Sequence, residues 1–149
     1  MSISIRAIEP GDKEAWLNLW EQYNEFCKRP LAQEITEITF SRIIDDSIRI
    51  YGAVAEDVNS HQIIGFVHWI PWLSTSSAKE RVIIADLLVD KDMRGKGAGR
   101  LLVEHVFEYA KSISSTLVQW NAHHWNHQAH LLYDKVAEKT EYIVYRKAL

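Results

Sequence analysis

Cysteine is nearly absent from this 149-residue chain: Cys27 stands alone. No disulfide can form within it, and a reducing compartment is the natural expectation. Long apolar runs are missing too. The longest apolar-rich stretch, residues 63–73, is interrupted by His68 and falls short of a bilayer span. The opening MSISIRAIEPGDKE has neither the apolar segment nor the cleavage pattern of a secretory signal. No charge dominates, since 17 Lys+Arg face 20 Asp+Glu for a net charge of −3. Proteins that coat nucleic acid are normally basic, so that class is disfavoured. Internal repeats, linkers and low-complexity tracts are also missing. The expectation is a cytoplasmic protein whose partners are neither membrane nor nucleic acid.

What remains suits one globular domain spanning residues 1–149. A hydrophobic share of 47% with a charged share of 25% excludes a disordered chain. Residues 2–8 alternate as a short strand. Ala15, Trp16, Leu19, Trp20, Tyr23 and Phe26 recur at three- and four-residue steps, which predicts a helix over 12–27 with Asp12 as cap. Arg29-Pro30 breaks it. Thr36 with Glu37 opens a second short helix. Residues 50–56 and 63–73 read as a hairpin about the turn DVNSHQ. Residues 81–90 are apolar on both faces, as a central strand requires. A helix over 99–113, a strand over 116–120, a helix over 126–139 and a last strand over 141–146 follow. The order βααβββαβαβ predicts a mixed α/β layer fold.

Three of the six glycines fall within Arg94-Gly95-Lys96-Gly97-Ala98-Gly99-Arg100, between the most apolar strand and an amphipathic helix. Glycine permits a tight turn and close approach of a ligand. The helix start offers free N–H groups and the positive end of the dipole. Arg94, Lys96 and Arg100 add charge, so the loop reads as a pyrophosphate cradle. The spacing is GxGxG, not the GxGxxG of dinucleotide folds. Gly97 stands where a Walker loop needs Ser or Thr.

The stretch ADLLVDKDMRGKGAGRLLVEHV resembles a motif of the GNAT superfamily of acetyl-CoA-dependent N-acetyltransferases: an apolar strand, then R-G-x-G-x-G/A, then a helix. The stretch NHQAHLLYDK, residues 126–135, resembles that family's next motif, N-x-x-A-x-x-L-Y-x-K, at the expected separation of about 35 residues. The resemblance implies a mixed, mostly antiparallel twisted sheet flanked by helices in a single domain. It implies acetyl-CoA as co-substrate, no metal, and acetyl transfer to a primary amine by direct attack in a ternary complex. The chain's ending looks like the branch with small-amine and histone acetyltransferases. A small amine or polyamine is the leading acceptor; protein lysine or an N-terminal amine is the alternative. A CoA-binding module without catalysis is a further one.

By the same resemblance, Leu87, Leu88 and Val89 would offer backbone groups to the pantetheine arm. The loop from Arg94 through Gly95, Lys96, Gly97, Ala98 and Gly99 to Arg100 would hold the pyrophosphate. Asn126 would lie near the pantetheine, and Lys135 near the adenine or phosphate end. Tyr133 would face the sulfur and give the departing thiolate a proton. A backbone N–H near Leu88 would receive the oxyanion. An alkyl ammonium must first lose a proton. The usual glutamate of the family falls at Ala85, so Asp86 is the remaining carboxylate, as base, relay or ammonium anchor. Deprotonation through water is the alternative.

Six tryptophans are many for this length. By the same resemblance, the regions of Trp20, Tyr23, Trp69 and Trp72 would flank the acceptor mouth, where they are expected to form an aromatic wall suited to a cationic amine. Core packing is the competing reading. Glu21, Glu25 and Glu34 add negative charge nearby. His123, His124, His127 and His130 cluster without an HExxH pattern, and no metal site is expected from them. The apolar last strand is an exposed edge, so a homodimer that covers it is expected.

Overall fold

The computed structural model describes residues 1–149. Five strands and four helices form: β1 (Ile3–Ala7), α1 (Lys13–Phe26), α2 (Gln33–Ile44), β2 (Tyr51–Asp57), β3 (Ile63–Trp72), β4 (Arg81–Val89), α3 (Ala98–Ser112), β5 (Val118–Gln119) and α4 (His127–Val136). The strands lie in chain order within one sheet. Pairing is antiparallel from β1 to β4, and β5 joins β4 in parallel.

Both faces of the sheet are covered, which explains why β3 and β4 are largely apolar. On one face α3 lays Leu102, Val103, Val106 and Ala110 against Ala53, Val67, Trp69 and Ile84. On the other, Trp16, Leu19 and Trp20 of α1 and Phe40 of α2 meet Val54, Phe66 and Leu88. Strand alternation thus splits the core in two, one half for each helical layer. Burying a large side chain in either half contributes roughly 1.5–3 kcal/mol. Arg6 ties β1 to the start of α1 by donating to both carboxylate oxygens of Asp12, at 2.8 and 2.9 Å. That pairing holds the Asp12 carboxyl below its ordinary range.

Several expectations change: the strand expected over 116–120 shrinks to Val118–Gln119, and the helix expected over 126–139 ends at Val136. Helix α2 begins at Gln33, a turn before Thr36. The strand expected over 141–146 does not form; Tyr142, Ile143, Val144 and Tyr145 are exposed. The reason lies at the sheet edge. Only Val118 and Gln119 of β5 pair with β4, so the edge offers too short a ladder to recruit another strand.

Candidate active site

The site is built around an irregularity in β4. Asp86 lies opposite His68 of β3, yet Ile84 lies opposite the next residue, Trp69. Ala85 is therefore one residue too many, a β-bulge. In a regular strand Ile84 and Asp86 would share a face. The extra residue reverses the alternation. Ile84 stays in the core under α3, while Asp86 reaches the α1 side, which Leu88 also faces. Ala85 itself is exposed and brings no carboxylate.

Asp86 meets a buried polar group there. His68 is 2% exposed, among the rings of Phe66, Trp16 and Trp20. The indole N–H of Trp16 donates to His68 Nε2 at 2.9 Å. Nε2 is thus an acceptor, and the ring proton sits on Nδ1, 3.0 Å from Asp86 Oδ2. The other oxygen, Oδ1, faces Arg29 Nη2 at 3.6 Å. The Arg29 guanidinium lies 5.4 Å from the Trp20 ring and 5.6 Å from the Tyr23 ring. Those two rings are stacked at 5.7 Å. Burial, and then the charge of Asp86, push the Tyr23 phenol above its ordinary value. Burial likewise raises the Cys27 thiol. A cleft of about 620 Å³ opens beyond, between α1 and α2, lined in part by Trp20, Glu21, Glu25, Arg29 and Glu37.

The four-membered aromatic wall does not assemble. Trp20 and Tyr23 belong to this site. Trp69 points to the opposite face, against Tyr51, His105 and Tyr109. The alternation of β3 puts His68 and Trp69 on opposite sides. Trp72 ends β3 and stays 36% exposed. Glu34 does not line the cleft.

The other half of the site lies along the outer edge of β4. Beyond Ile83 this edge has no partner strand. Asp90 N–H donates to Ile64 O on β3, which fixes the alternation of backbone groups. Leu88, two residues earlier and opposite Phe66, therefore turns its N–H and C=O toward β3. Leu87 and Val89 present theirs to the open edge, and Val89 O accepts from Arg94 Nε at 3.3 Å. Of the three residues expected to offer backbone groups, Leu87 and Val89 thus have theirs on the open edge, while those of Leu88 are directed toward β3.

The glycine loop follows. Gly95 and Gly97 have φ of 79° and 90°, where a side chain is strained. Gly97 caps α3 without a side chain, so the first N–H groups of that helix face the loop. Arg94, Lys96 and Arg100 are exposed around it, although Arg100 pairs with Glu104 at 2.8 Å. The side chain of Ala98 is buried and serves the core. Helix α4 closes on this loop, because Leu132 Cδ2 lies 3.3 Å from the Cβ position of Gly99. Tyr133, the next residue, packs on Trp120 at 5.4 Å, and burial pushes its phenol up to about 12. Asn126 caps α4 by accepting from Ala129 N–H at 3.4 Å. Lys135 is exposed in the last turn. The histidine cluster serves the loop before α4: His130 Nε2 meets His123 O at 2.9 Å, and His123 stacks on Trp125.

An uncapped helix start, two left-handed glycines, a basic rim and an open strand edge together suit a long ligand carrying a pyrophosphate and an amide arm. Residues 13–137 match the Acetyltransferase (GNAT) family. The chain is 40% identical over 145 residues to the D-amino-acid N-acetyltransferase HPA3 of Saccharomyces cerevisiae, covering 97% of this chain and 90% of that protein. The fold is similar to AAC(6')-Iy in complex with a bisubstrate analogue, CoA-S-monomethyl-acetylneamine. That match has a TM-score of 0.82, 16% identity and full coverage of both chains, 100% each. It is also similar to a ribosomal-protein-alanine N-acetyltransferase from Brucella melitensis, with a TM-score of 0.81, 18% identity and 99% of each chain covered. The chain belongs to the GNAT family of acetyl-CoA-dependent N-acetyltransferases.

Proposed function

We propose that this enzyme acetylates the amine of a small amino acid, with a D-amino acid as the leading acceptor. The observation that carries this reading is one anion beside one cation. Asp86 and Arg29 stand 3.6 Å apart, with the Arg29 guanidinium over the Trp20 and Tyr23 rings. An amino acid carries the complementary pair. Its ammonium suits Asp86, and its carboxylate suits the planar fork of Arg29. The name of the yeast relative supports the same class. A polyamine is the second reading, favoured by Glu21 and Glu25 in the cleft.

Acetyl-CoA, when bound, supplies the activated acetyl group. The remaining work falls to the chain. The first turn of α3, with Gly95, Gly97, Arg94 and Lys96, holds the pyrophosphate. Leu87 and Val89 align the pantetheine arm through their backbone, and an N–H of this pair receives the oxyanion. Asn126 and Lys135 lie at the rim of that arm and of the adenine end. Asp86 anchors the ammonium and takes its proton, directly or through water. Tyr133, held as a phenol by burial, donates to the departing sulfur.

Thiol release in the presence of D-alanine, L-alanine and spermidine tests the acceptor. Arg29→Gln should raise KM for the amino acid about tenfold, near the worth of a charged hydrogen bond, and leave spermidine unaffected. Equal KM for the amino acid would remove Arg29 from the acceptor site. A homodimer belongs to the same reading, supported by the exposed run Tyr142, Ile143, Val144 and Tyr145. Light scattering should give twice the 17.3 kDa chain mass, and a monomer would refute it.

A further inference from the structure

We propose that His68 is a positioning residue for acetyl transfer, acting through Asp86. This rests on the reading of Asp86 as the group that receives the substrate amine. Three observations converge on it. First, His68 is buried to 2% exposure, and its ring nitrogens have one polar partner each. Second, those partners fix its state. Trp16 donates to Nε2, so the neutral ring keeps its proton on Nδ1 and donates it to Asp86 Oδ2. Third, the contact exists only because Ala85 is bulged; without that extra residue Asp86 would face α3.

Packing alone does not account for the residue. The surrounding rings of Phe66, Trp16 and Trp20 are aromatic, and the Trp16 N–H is the one polar group among them that asks for an acceptor. Burying an imidazole costs its hydration unless both nitrogens are paired. Here both are, and one of the two bonds leads to the carboxylate at the acceptor site. Trp16 is in turn fixed by its stacking on Trp20 at 5.4 Å. The chain Trp16–His68–Asp86 thus runs from the core of α1 to the open site and sets which carboxylate oxygen is left for the substrate. Oδ2 is engaged by His68. Oδ1, facing Arg29, is the oxygen that meets the ammonium. His68 neither gains nor loses a proton in the step: the amine proton passes to Asp86, and Nδ1 keeps its own.

The arrangement inverts the more common order, in which a buried carboxylate orients a reacting histidine. Here a buried histidine orients a reacting carboxylate. Misplacing a catalytic group by about 1 Å can lower the rate by about 10²-fold.

Two measurements on the full chain test this. Nitrogen NMR of the ¹⁵N-histidine-labelled protein at neutral pH reads the tautomer without any acceptor. A proton on His68 Nδ1 is expected; a proton on Nε2 in the unaltered chain would overturn the proposal. The second is a kinetic cycle with D-alanine. His68→Phe should lower kcat about 10²-fold with unchanged acetyl-CoA affinity. His68→Asn, which keeps an N–H donor near the Nδ1 position, should recover most of that loss. Adding His68→Phe to Asp86→Asn should lower the residual rate little further, since His68 acts only through Asp86. Full activity in His68→Phe, no recovery in His68→Asn, or independent losses in the double variant would overturn the role. No transfer by the unaltered chain to any amine, with the Nδ1 tautomer present, would refute the acceptor reading. It would also refute the catalytic part of the proposal, since no transfer would remain for His68 to position.

Discussion

Burial keeps Tyr133 a phenol, its proton leaving only at about 12. It sits beside Trp120, one residue after the leucine that touches the first turn of α3. In the proposed role of proton donor it would stay loaded at any physiological pH. Tyr133→Phe should reduce kcat about 10²-fold and leave acetyl-CoA affinity within a factor of about two; stopped-flow thiol release and ligand titration check both. The same group has a pH signature in stability. Its value in the folded chain is raised above the ordinary 10.0, so folding favours the neutral form. That contribution is complete below pH 10 and is lost as pH rises toward 12. Denaturant unfolding of Tyr133→Phe should therefore fall less steeply over this interval than that of the unaltered chain. Tyr133 was legible as a candidate because its neighbours in the chain resemble the family motif. His68 and Arg29 were not. His68 reads as an interruption of an apolar strand and Arg29 as part of a helix stop. Their meeting at Asp86 depends on strand register and on the bulge at Ala85, neither of which has a local sequence signature.

Among the elements, α1, α3, α4 and the hairpin of β2 and β3 follow from periodicity, because each buries a single well-marked face or a doubly covered run. The expected aromatic wall failed on a one-residue question. Trp69 follows His68 directly, so a pleated strand must send one of them to α1 and the other to α3. The last strand failed for want of an edge, β5 being two residues long. The turn between β4 and α3 was legible because its glycines answer local demands. Gly97 has a φ of 90° and opens α3 without a side-chain cap. Gly97→Ala should destabilise the fold by about 1–2 kcal/mol, the cost of a left-handed residue with a Cβ. It should also weaken acetyl-CoA more than it weakens the acceptor. Thermal unfolding with and without each ligand separates the two effects, and unchanged acetyl-CoA affinity would remove the loop from the pyrophosphate site.

At the scale of the whole molecule, the sheet divides the labour. The face under α1 and α2 carries Trp20, Tyr23, Arg29, His68 and Asp86. The outer edge of β4, with the glycine loop and α4, carries the backbone donors and Tyr133. The two halves share β4, whose bulge turns Asp86 to one side while Leu87 and Val89 open to the other. No helix is long and apolar enough to cross a membrane. The proposed reaction is acetyl transfer at one strand, from a donor held at its edge to an amine held on its face. The most direct test is a thermal-shift titration with acetyl-CoA, followed on the same sample by thiol release with D-alanine. At about a hundredfold excess over Kd, binding should add about 2.7 kcal/mol of stability and raise Tm by several degrees. Thiol release and N-acetyl-D-alanine should follow, and both should vanish in Asp86→Asn while the shift persists. No shift with saturating acetyl-CoA, or release that is indifferent to Asp86, would contradict the account.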